Sequence, residues 1–460
     1  MKKLFYIIFF FLSLVTCAQQ SWYKSSPLDL TWLNVGNAGF SAGQATGPCL
    51  ALSPSGEPYV AYMDDANSDK ASVMKFDGSN WVNVGPAGFS AGTAGYPSLA
   101  FSPTGEPYVA YEDYANSYKE TVMKFDGSNW VIVGVAGFSA GEVYYSSLAF
   151  NPLSGEPYVA YKDVANSNKA TVMKFDGADW VTIGTAGFSA GEVYCVNLAF
   201  SLTGDPYVAD ADAGYAFKPT VMKFDGINWV LVGTGGFSAG DVDMVDFAFN
   251  PITGEPYVSF IDYANSVKTT VMKFDGINWV TVGPAGFTAG KTDVPSLAFS
   301  PSGDPYVAFK DSANSAKATV MEFDGISWVI VGTAGFSAAL ATDLSLAFNS
   351  TGVPYVAYRD GGNSLKATVM KYDYPVGIDT PKESRVSLYP NPATDKTTVE
   401  ISGGTMQGNL TILNMEGQEL MKRPVTNHKI QLDISTLPDG VYFVRLTNEN
   451  RVEVVKLIKQ

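Results

Sequence analysis

Five serines lie in the motif Gly-x-Ser-x-Gly, which surrounds the nucleophile in many serine hydrolases. Such a serine needs a histidine base, and the only histidine in the chain is His428. A nucleophile is needed once, whereas this motif recurs along the chain, so we predict a structural turn instead of catalysis. The motif serines are Ser41, Ser90, Ser139, Ser189 and Ser238, with the variants Thr288 and Ser337.

Metal-ligating residue types are scarce. Apart from Cys17 near the N-terminus, the chain has one histidine and two separated cysteines, Cys49 and Cys195, which exclude an ordinary zinc site. The spacing of Cys49 and Cys195 predicts no disulfide. Turns that close hairpins explain the recurring Asp-x-x-Asn-Ser, as at Asp113. We therefore predict no cofactor for the repeat as a whole. The exception is a local concentration of acids that supports a calcium hypothesis; a decayed repeat is the alternative. Its candidate ligands are Asp210, Asp212, Asp241 and Asp243.

Tyrosines and acids collect in the short run that follows each Gly-Phe-Ser-Ala-Gly and in nearby turns, where the copies differ most. Exposed aromatic rings beside carboxylates suit sugar rings, and they also suit a protein partner. Neutral drift in loops is the alternative. The candidate ligand-binding residues are Tyr96, Tyr114, Glu142, Tyr144, Tyr145, Glu192, Tyr194, Asp241, Asp243 and Asp293. Carboxylates such as Glu142, Glu192 and Asp241 also suit glycoside hydrolysis, but nothing distinguishes one of them as the acid.

These residues are positioned by a repeat. Tryptophans recur 49 or 50 residues apart, and each repeat contains four short segments rich in Val, Tyr, Phe and Thr between turn residues. In the third copy we predict strands at Ser147–Phe150, Pro157–Lys162, Ala170–Phe175 and Trp180–Ile183. Seven such units predict an all-β, seven-bladed β-propeller over residues 30–374, with a solenoid as the rival. The tryptophans are Trp32, Trp81, Trp130, Trp180, Trp229, Trp279 and Trp328.

The first and last copies are incomplete in complementary ways. Trp32 begins an outer strand with no Lys-Phe-Asp-Gly before it, and Asp373 ends a copy that has no tryptophan strand after it. We therefore predict that the N-terminal strand completes the last blade and closes the ring.

The N-terminus predicts export. Lys2 and Lys3 precede an apolar run that is too short to span a bilayer, so residues 1–18 are predicted to be a signal peptide. The alternative is a lipoprotein signal peptide that is cleaved immediately before Cys17. No other run is long enough for a transmembrane segment in the mature chain. The net charge of −15 argues against nucleic-acid and anionic-membrane partners.

The repeat ends before a predicted linker at residues 375–384, and a different sequence pattern follows the linker. Four features follow in order: Tyr389-Pro390-Asn391-Pro392-Ala393, a Gly417-Gln418 turn, a strand that begins at Leu437-Pro438-Asp439-Gly440, and a basic end. Composition alone predicts a small β-sandwich over residues 385–460. This segment closely resembles the type A C-terminal sorting domain of the bacterial type IX secretion system. The resemblance implies contact with that machinery, export across the outer membrane, and release or attachment to the outer surface.

The repeats resemble those of secreted bacterial propeller proteins built from Pro-Tyr-Val-Ala-Tyr and Trp-Val-x-Val-Gly units, a resemblance that brings no activity. The Asp-box of sialidases has one more residue between aspartate and tryptophan than Asp176-Gly177-Ala178-Asp179-Trp180. We therefore predict a non-catalytic propeller that binds a glycan or a surface protein, and not an enzyme. The alternatives are a carbohydrate-active enzyme with carboxylates at the channel mouth and a surface scaffold.

Overall fold

The computed structural model describes residues 30–373, 386–401, 408–414, 419–425, 427–448 and 451–460. The predicted signal peptide and the whole predicted linker lie outside these ranges. The described residues form two compact units, a large one over residues 30–373 and a C-terminal one from residue 386, and each is treated by itself below.

The large unit consists of seven four-stranded antiparallel sheets, so the predicted propeller is confirmed. The innermost strands are β2 (Ala45–Leu52), β6 (Ala94–Phe101), β10 (Val143–Phe150), β14 (Val193–Phe200), β18 (Val242–Phe249), β22 (Ser296–Phe299) and β26 (Ala341–Phe348). The second strands are β3 (Pro58–Asp64), β7 (Pro107–Asp113), β11 (Pro157–Asp163), β15 (Pro206–Asp212), β19 (Pro256–Asp262), β23 (Pro305–Asp311) and β27 (Pro354–Asp360).

The third strands are β4 (Lys70–Phe76), β8 (Lys119–Phe125), β12 (Lys169–Phe175), β16 (Lys218–Phe224), β20 (Lys268–Phe274), β24 (Lys317–Phe323) and β28 (Lys366–Asp373). The outer strands are β1 (Thr31–Asn34), β5 (Trp81–Asn83), β9 (Trp130–Ile132), β13 (Trp180–Thr182), β17 (Trp229–Leu231), β21 (Trp279–Thr281) and β25 (Trp328–Ile330). Single-turn 3₁₀ helices join second to third strands at Asp65–Asn67, Tyr114–Asn116, Val164–Asn166, Ala213–Tyr215, Tyr263–Asn265, Ser312–Asn314 and Gly361–Asn363. Blades 1 to 6 are β2–β5, β6–β9, β10–β13, β14–β17, β18–β21 and β22–β25.

Blade 7 combines β26, β27 and β28 with β1, the first strand of the unit. Thr31 to Asn34 pair in antiparallel register with Asp373 to Met370. The predicted closure by the N-terminal strand is therefore confirmed.

Each repeated tryptophan joins two blades. The indole N–H of Trp180 donates to the carbonyl of Val133 at 2.8 Å, and its ring stacks on Phe138 with centroids 4.4 Å apart. Phe138 is the phenylalanine of a Gly-Phe-Ser-Ala-Gly motif. The same indole bond recurs at every junction, including the one where Trp32 donates to Val331. The motif therefore supplies the aromatic partner for the next tryptophan.

The motif serines are buried structural groups. Ser90 Oγ donates to the carbonyl of Gly92 at 2.6 Å and accepts from the N–H of Ala71 at 3.0 Å. Equivalent bonds hold Ser139 and Ser189. The hydroxyl is thus used within the turn, as the turn interpretation requires.

A ring of side-chain hydrogen bonds links the innermost strands. A small polar residue near the middle of each strand bonds the backbone of the strand in the next blade, as when Ser98 accepts from the N–H of Leu148 at 3.0 Å. The position needs a short polar side chain, because strands around the channel are close together. Its occupants are Cys49, Ser98, Ser147, Asn197, Asp246, Ser296 and Ser345.

Cys49 occupies a serine position in this ring, and its Sγ accepts from the N–H of Leu99 at 3.4 Å. A hydroxyl makes a shorter and stronger bond there, so Cys49→Ser is expected to leave stability unchanged or to raise it by up to about 1 kcal/mol. Cys49→Ala leaves that N–H without its partner and is expected to lose about 1 kcal/mol. Thermal denaturation of both variants checks this. A Cys49→Ser variant less stable than Cys49→Ala would contradict it.

The C-terminal unit is a β-sandwich. One sheet contains β29 (Val386–Tyr389), β30 (Lys396–Ile401) and β33 (Lys429–Asp433). The other contains β31 (Asn409–Leu413), β32 (Glu419–Pro424), β34 (Gly440–Asn448) and β35 (Arg451–Lys459). Val399 and Leu432 of the first sheet share one core with Leu410 and Val444 of the second. Among the residues described in both units, no helix is long and apolar enough to cross a membrane.

Candidate functional site

The variable run after each Gly-Phe-Ser-Ala-Gly belongs largely to the innermost strand. In the third blade this strand begins at Val143, four residues before the predicted Ser147. Val143 and Tyr144 pair with β11, and the register then shifts before Ser147. The prediction missed this extension because a β-bulge interrupts the regular alternation of the strand.

The bulge turns one side chain per blade toward the channel mouth. Its backbone has positive φ, for example 57° at Tyr145 and 54° at Cys195. A cavity of about 280 Å³ lies inside the ring of innermost strands, and the bulge residues of blades 2 to 6 line it. The residues at the bulge position are Gly47, Tyr96, Tyr145, Cys195, Met244, Val294 and Asp343. Of these bulge residues, the two tyrosines were predicted from the sequence as ligand-binding residues, and the other five were not. The free thiols of Cys49 and Cys195 both line the cavity.

The predicted tyrosines converge on blades 2 to 4, on the face that carries the 3₁₀ turns. Tyr96 is 61% exposed, and the ring of Tyr114 packs at a tilt against the ring of Tyr118 with centroids 4.4 Å apart. Tyr144 donates a hydrogen bond to Glu142. That bond raises the pKa of Tyr144 to about 12. We call the following residues the tyrosine sector: Tyr96, Tyr114, Tyr118, Glu142, Tyr144, Tyr145, Glu192 and Tyr194.

Lys162 organises the blade 4 end of the tyrosine sector. Its ammonium forms an ion pair with Glu192 at 2.6 Å and lies 4.4 Å from the ring centroid of Tyr194. The Tyr194 ring in turn lies 6.5 Å from Tyr145 and 5.5 Å from Phe217. Glu192 is therefore already paired, and the aromatic surface continues from blade 3 into blade 4.

The remaining predicted acids lie in blades 5 and 6. Asp243 accepts from the N–H of Met244, and Asp293 is paired with Lys310 at 2.9 Å. Asp241 and Asp243 lie near Tyr263, whose pKa is raised by burial and by these charges. This second group has one exposed tyrosine, in contrast to the tyrosine sector.

Two buried acids were missed. Glu112 and Glu120 face each other across β7 and β8, and Ser146 donates to Glu120 at 2.5 Å. Burial and the charge of Glu142 raise the pKa of Glu112 to about 7. Burial also holds the pKa of Glu120 well above its usual range. The sequence carried a signal for them, because Glu120 stands where every other copy has Ala, Thr or Pro.

The Asp-x-x-Asn-Ser segment at Asp113 satisfies its own carboxylate. Asp113 accepts from Ala115 N–H at 3.1 Å, from the Asn116 amide at 2.8 Å and from the Thr121 hydroxyl at 2.9 Å. These bonds support the turn interpretation, since the carboxylate oxygens are occupied by donors of the same blade.

The calcium hypothesis stays a prediction, and the structure gives it little support. Across the described residues, no group of three or more His, Cys, Asp or Glu is arranged to hold a metal ion. Asp212 caps its turn and accepts from Gly191 and Gly214 N–H. Asp210 is 1% exposed, in a slot that holds Tyr or Phe in the other blades. Asp241 and Asp243 belong to the next blade, so the four acids do not form one site.

The fold and the tail define a class: an exported propeller with a C-terminal sorting domain. Residues 387–460 match the family model described as a secretion system C-terminal sorting domain. The predicted resemblance is confirmed, and the domain indicates type IX secretion and cell-surface attachment. It also implies interaction with the type IX machinery.

Solved structures share the fold at low identity. A puromycin-hydrolysing peptidase of Mycobacterium tuberculosis is 12% identical over 82% of this chain and 59% of that chain, with a TM-score of 0.50. PorZ, an essential surface component of the type IX secretion system of Porphyromonas gingivalis, is 13% identical over 91% of this chain, with a TM-score of 0.49. A lectin of Aleuria aurantia is 14% identical over 65% of this chain and 97% of that chain, with a TM-score of 0.44.

This chain spans 60% of the length of the matched PorZ chain. At such identities the likeness concerns the fold alone. No curated protein sequence matches the chain.

Proposed function

We propose that the protein is a surface-exposed or secreted binding propeller whose tyrosine sector takes a glycan. One observation carries this proposal: exposed tyrosines of blades 2 and 3, continued by the half-buried Tyr145 and Tyr194, form an aromatic surface beside the channel mouth. Tyrosine offers a flat apolar face and a hydroxyl at low conformational cost. Carboxylates such as Glu142 add hydrogen-bond acceptors for sugar hydroxyls.

The position of the surface supports the same function. Loops on a rigid scaffold are where binding residues collect, and the bulges hold Tyr96 and Tyr145 in place at the mouth. Pre-positioned side chains lose little freedom when a ligand binds. A glycan that stacks on this surface also has polar partners at its edge.

Glycan binding by the full chain tests the proposal. Tyr96→Ala and Tyr114→Ala are each expected to weaken the affinity about ten-fold, because each removes an exposed ring from the surface. Tyr263→Ala is the matched control, since Tyr263 and Tyr114 occupy the same turn position and are 46% and 41% exposed. Glycan-array screening followed by calorimetric titration measures this. Binding that both variants leave intact, or that only Tyr263→Ala weakens, would refute the tyrosine sector as the site.

Glycan hydrolysis is a second candidate, favoured by one observation. Glu112 has a pKa of about 7 and lies near Glu142, an environment suited to a general acid beside an ionised partner. Of the acids predicted from the sequence, Glu192 is held by Lys162. Product release from a bound polysaccharide that Glu112→Gln abolishes would favour this candidate over simple binding.

A further inference from the structure

Blade 2 buries two glutamates at its junction with blade 3. Glu112 is 4% exposed and Glu120 is 0% exposed, and their Oε1 atoms find no hydrogen-bond partner among the described residues. A buried polar atom without a partner costs about 1–3 kcal/mol. The positions equivalent to Glu120 hold Ala71, Ala170, Pro219, Thr269, Ala318 and Ala367. The pair is therefore not needed to build a blade.

The carboxyl of Glu112 occupies the room that Gly95 leaves by having no side chain. The two residues are Cα partners in β6 and β7, and a Cβ at Gly95 would overlap Oε2 of Glu112. Tyr96, the exposed bulge residue, follows directly. The equivalent positions of other blades carry side chains: Thr46, Tyr144, Tyr194, Asp243, Asp293 and Thr342. Gly95 thus provides the space that the carboxyl of Glu112 fills.

The charged groups around this space are negative. Glu142 is the charged group that raises the pKa of Glu112, and Glu112 and Glu142 both raise the pKa of Tyr114. Tyrosine rings form the walls, with Tyr96 and Tyr114 exposed at the rim. We call Tyr96, Glu112, Tyr114, Glu142 and Tyr144 the acidic tyrosine pocket.

We propose that the acidic tyrosine pocket binds the protonated amine of an amino sugar, with Glu112 as its buried counter-charge. This deepens the proposed function and rests on it. An ammonium group gives the free oxygen of Glu112 a charge-assisted hydrogen bond, the stronger kind. The faces of Tyr96 and Tyr114 also attract a cation. The proton displaced from Glu112 on binding passes to solvent.

Neutral and acidic sugars fit the pocket less well. A hydroxyl can satisfy Glu112 only by a weaker hydrogen bond and gains nothing from the charge of Glu142. A uronic acid or a sulfated sugar would place like charges together in a partly buried site, which is unfavourable. The combination of aromatic walls with uncompensated acids therefore selects a cation.

The test compares oligomers of glucosamine and of N-acetylglucosamine of equal length, titrated into the full chain by calorimetry. We expect the glucosamine oligomer to bind about ten-fold tighter at low salt, with the preference shrinking as salt is added. Glu112→Gln keeps the size of the side chain and should fold, because burial disfavours the charged form of a carboxyl at this position. It is expected to abolish the preference. Glu142→Gln should reduce it.

Glu106→Gln is the matched control, since Glu106 lies in the same blade at the opposite strand ends and pairs with Lys124 at 3.1 Å. Equal affinity for both oligomers, or a preference that survives Glu112→Gln, overturns the amine proposal. If neither oligomer binds while another glycan binds in a way that depends on Tyr96, the amine proposal is wrong and the glycan-binding function stands. If no glycan binds at all, both the amine proposal and the proposed glycan-binding function are wrong.

Discussion

A chain that begins at Asn37 is expected to melt far below the intact protein. Trp32 is buried, donates its indole N–H to Val331 at 2.9 Å and stacks on Phe336 with centroids 4.0 Å apart. Loss of one buried tryptophan alone costs about 3–5 kcal/mol. The truncation also exposes β28 as an unpaired edge, which favours association between molecules. Thermal denaturation and light scattering measure both effects.

A synthetic peptide covering Thr31 to Phe40, added in trans, is the control for this truncation. It supplies the missing strand and is expected to restore part of the lost stability. An unchanged melting temperature after truncation would mean that the β1–β28 pairing does not hold the ring closed.

Asp210→Tyr is expected to stabilise the protein by about 2–4 kcal/mol, since it removes a buried carboxyl without partners and fills the slot. In blade 3 the equivalent Tyr161 is buried and its hydroxyl donates to the sulfur of Met173 at 3.0 Å. Met222 occupies the corresponding position beside Asp210. For a domain of this size the gain corresponds to a rise of about 3–6 °C in the melting temperature.

The pH dependence of this effect has a definite sign. Burial and the nearby charge of Asp212 hold the pKa of Asp210 well above its usual range. The folded state therefore binds more protons than the unfolded state above the unfolded-state pKa of about 3.9. Below that value Asp210 is protonated in both states, and the free energy of unfolding is not reduced by its ionisation. The free energy of unfolding falls as pH rises toward the folded-state pKa. Asp210→Tyr should thus gain most at neutral pH and least in acid.

Tyr161→Asp is the matched reverse substitution in the neighbouring blade. It is expected to destabilise the protein by a similar or larger amount, with the loss growing as pH rises. A destabilising Asp210→Tyr would show that Asp210 has a partner that stabilises it in the folded protein.

The repeat made the architecture predictable because each copy has the same strand and turn chemistry. The incomplete copies at Trp32 and Asp373 were enough to predict the closure. The upper part of each innermost strand was not predicted, since a bulge at Tyr145 breaks the two-residue period on which strand assignment depends. The channel-facing role of Cys195 and Met244 was missed for the same reason.

The candidate site was predicted in part. Exposed tyrosines such as Tyr96 could be selected because they vary among otherwise constant copies. Glu112 was not predicted as a site residue, because its position in the repeat is variable. Its burial depends on Gly95 and on blade 3, which are brought together only by folding. Asp210 was noticed as an anomaly with two interpretations, a calcium ligand and a decayed repeat. Its place in the strand alternation matches the buried aromatic of other copies.

The pairing of Thr31 with Asp373 also determines where the chain enters and leaves the propeller. Both residues lie at the strand ends that carry the Asp-Gly turns, whereas the tyrosine sector lies at the opposite ends of the strands. The two exits are therefore neighbours on one face, and the channel mouth opens on the other. Thr31 and Asp373 therefore do not obstruct a large polymer that approaches the mouth.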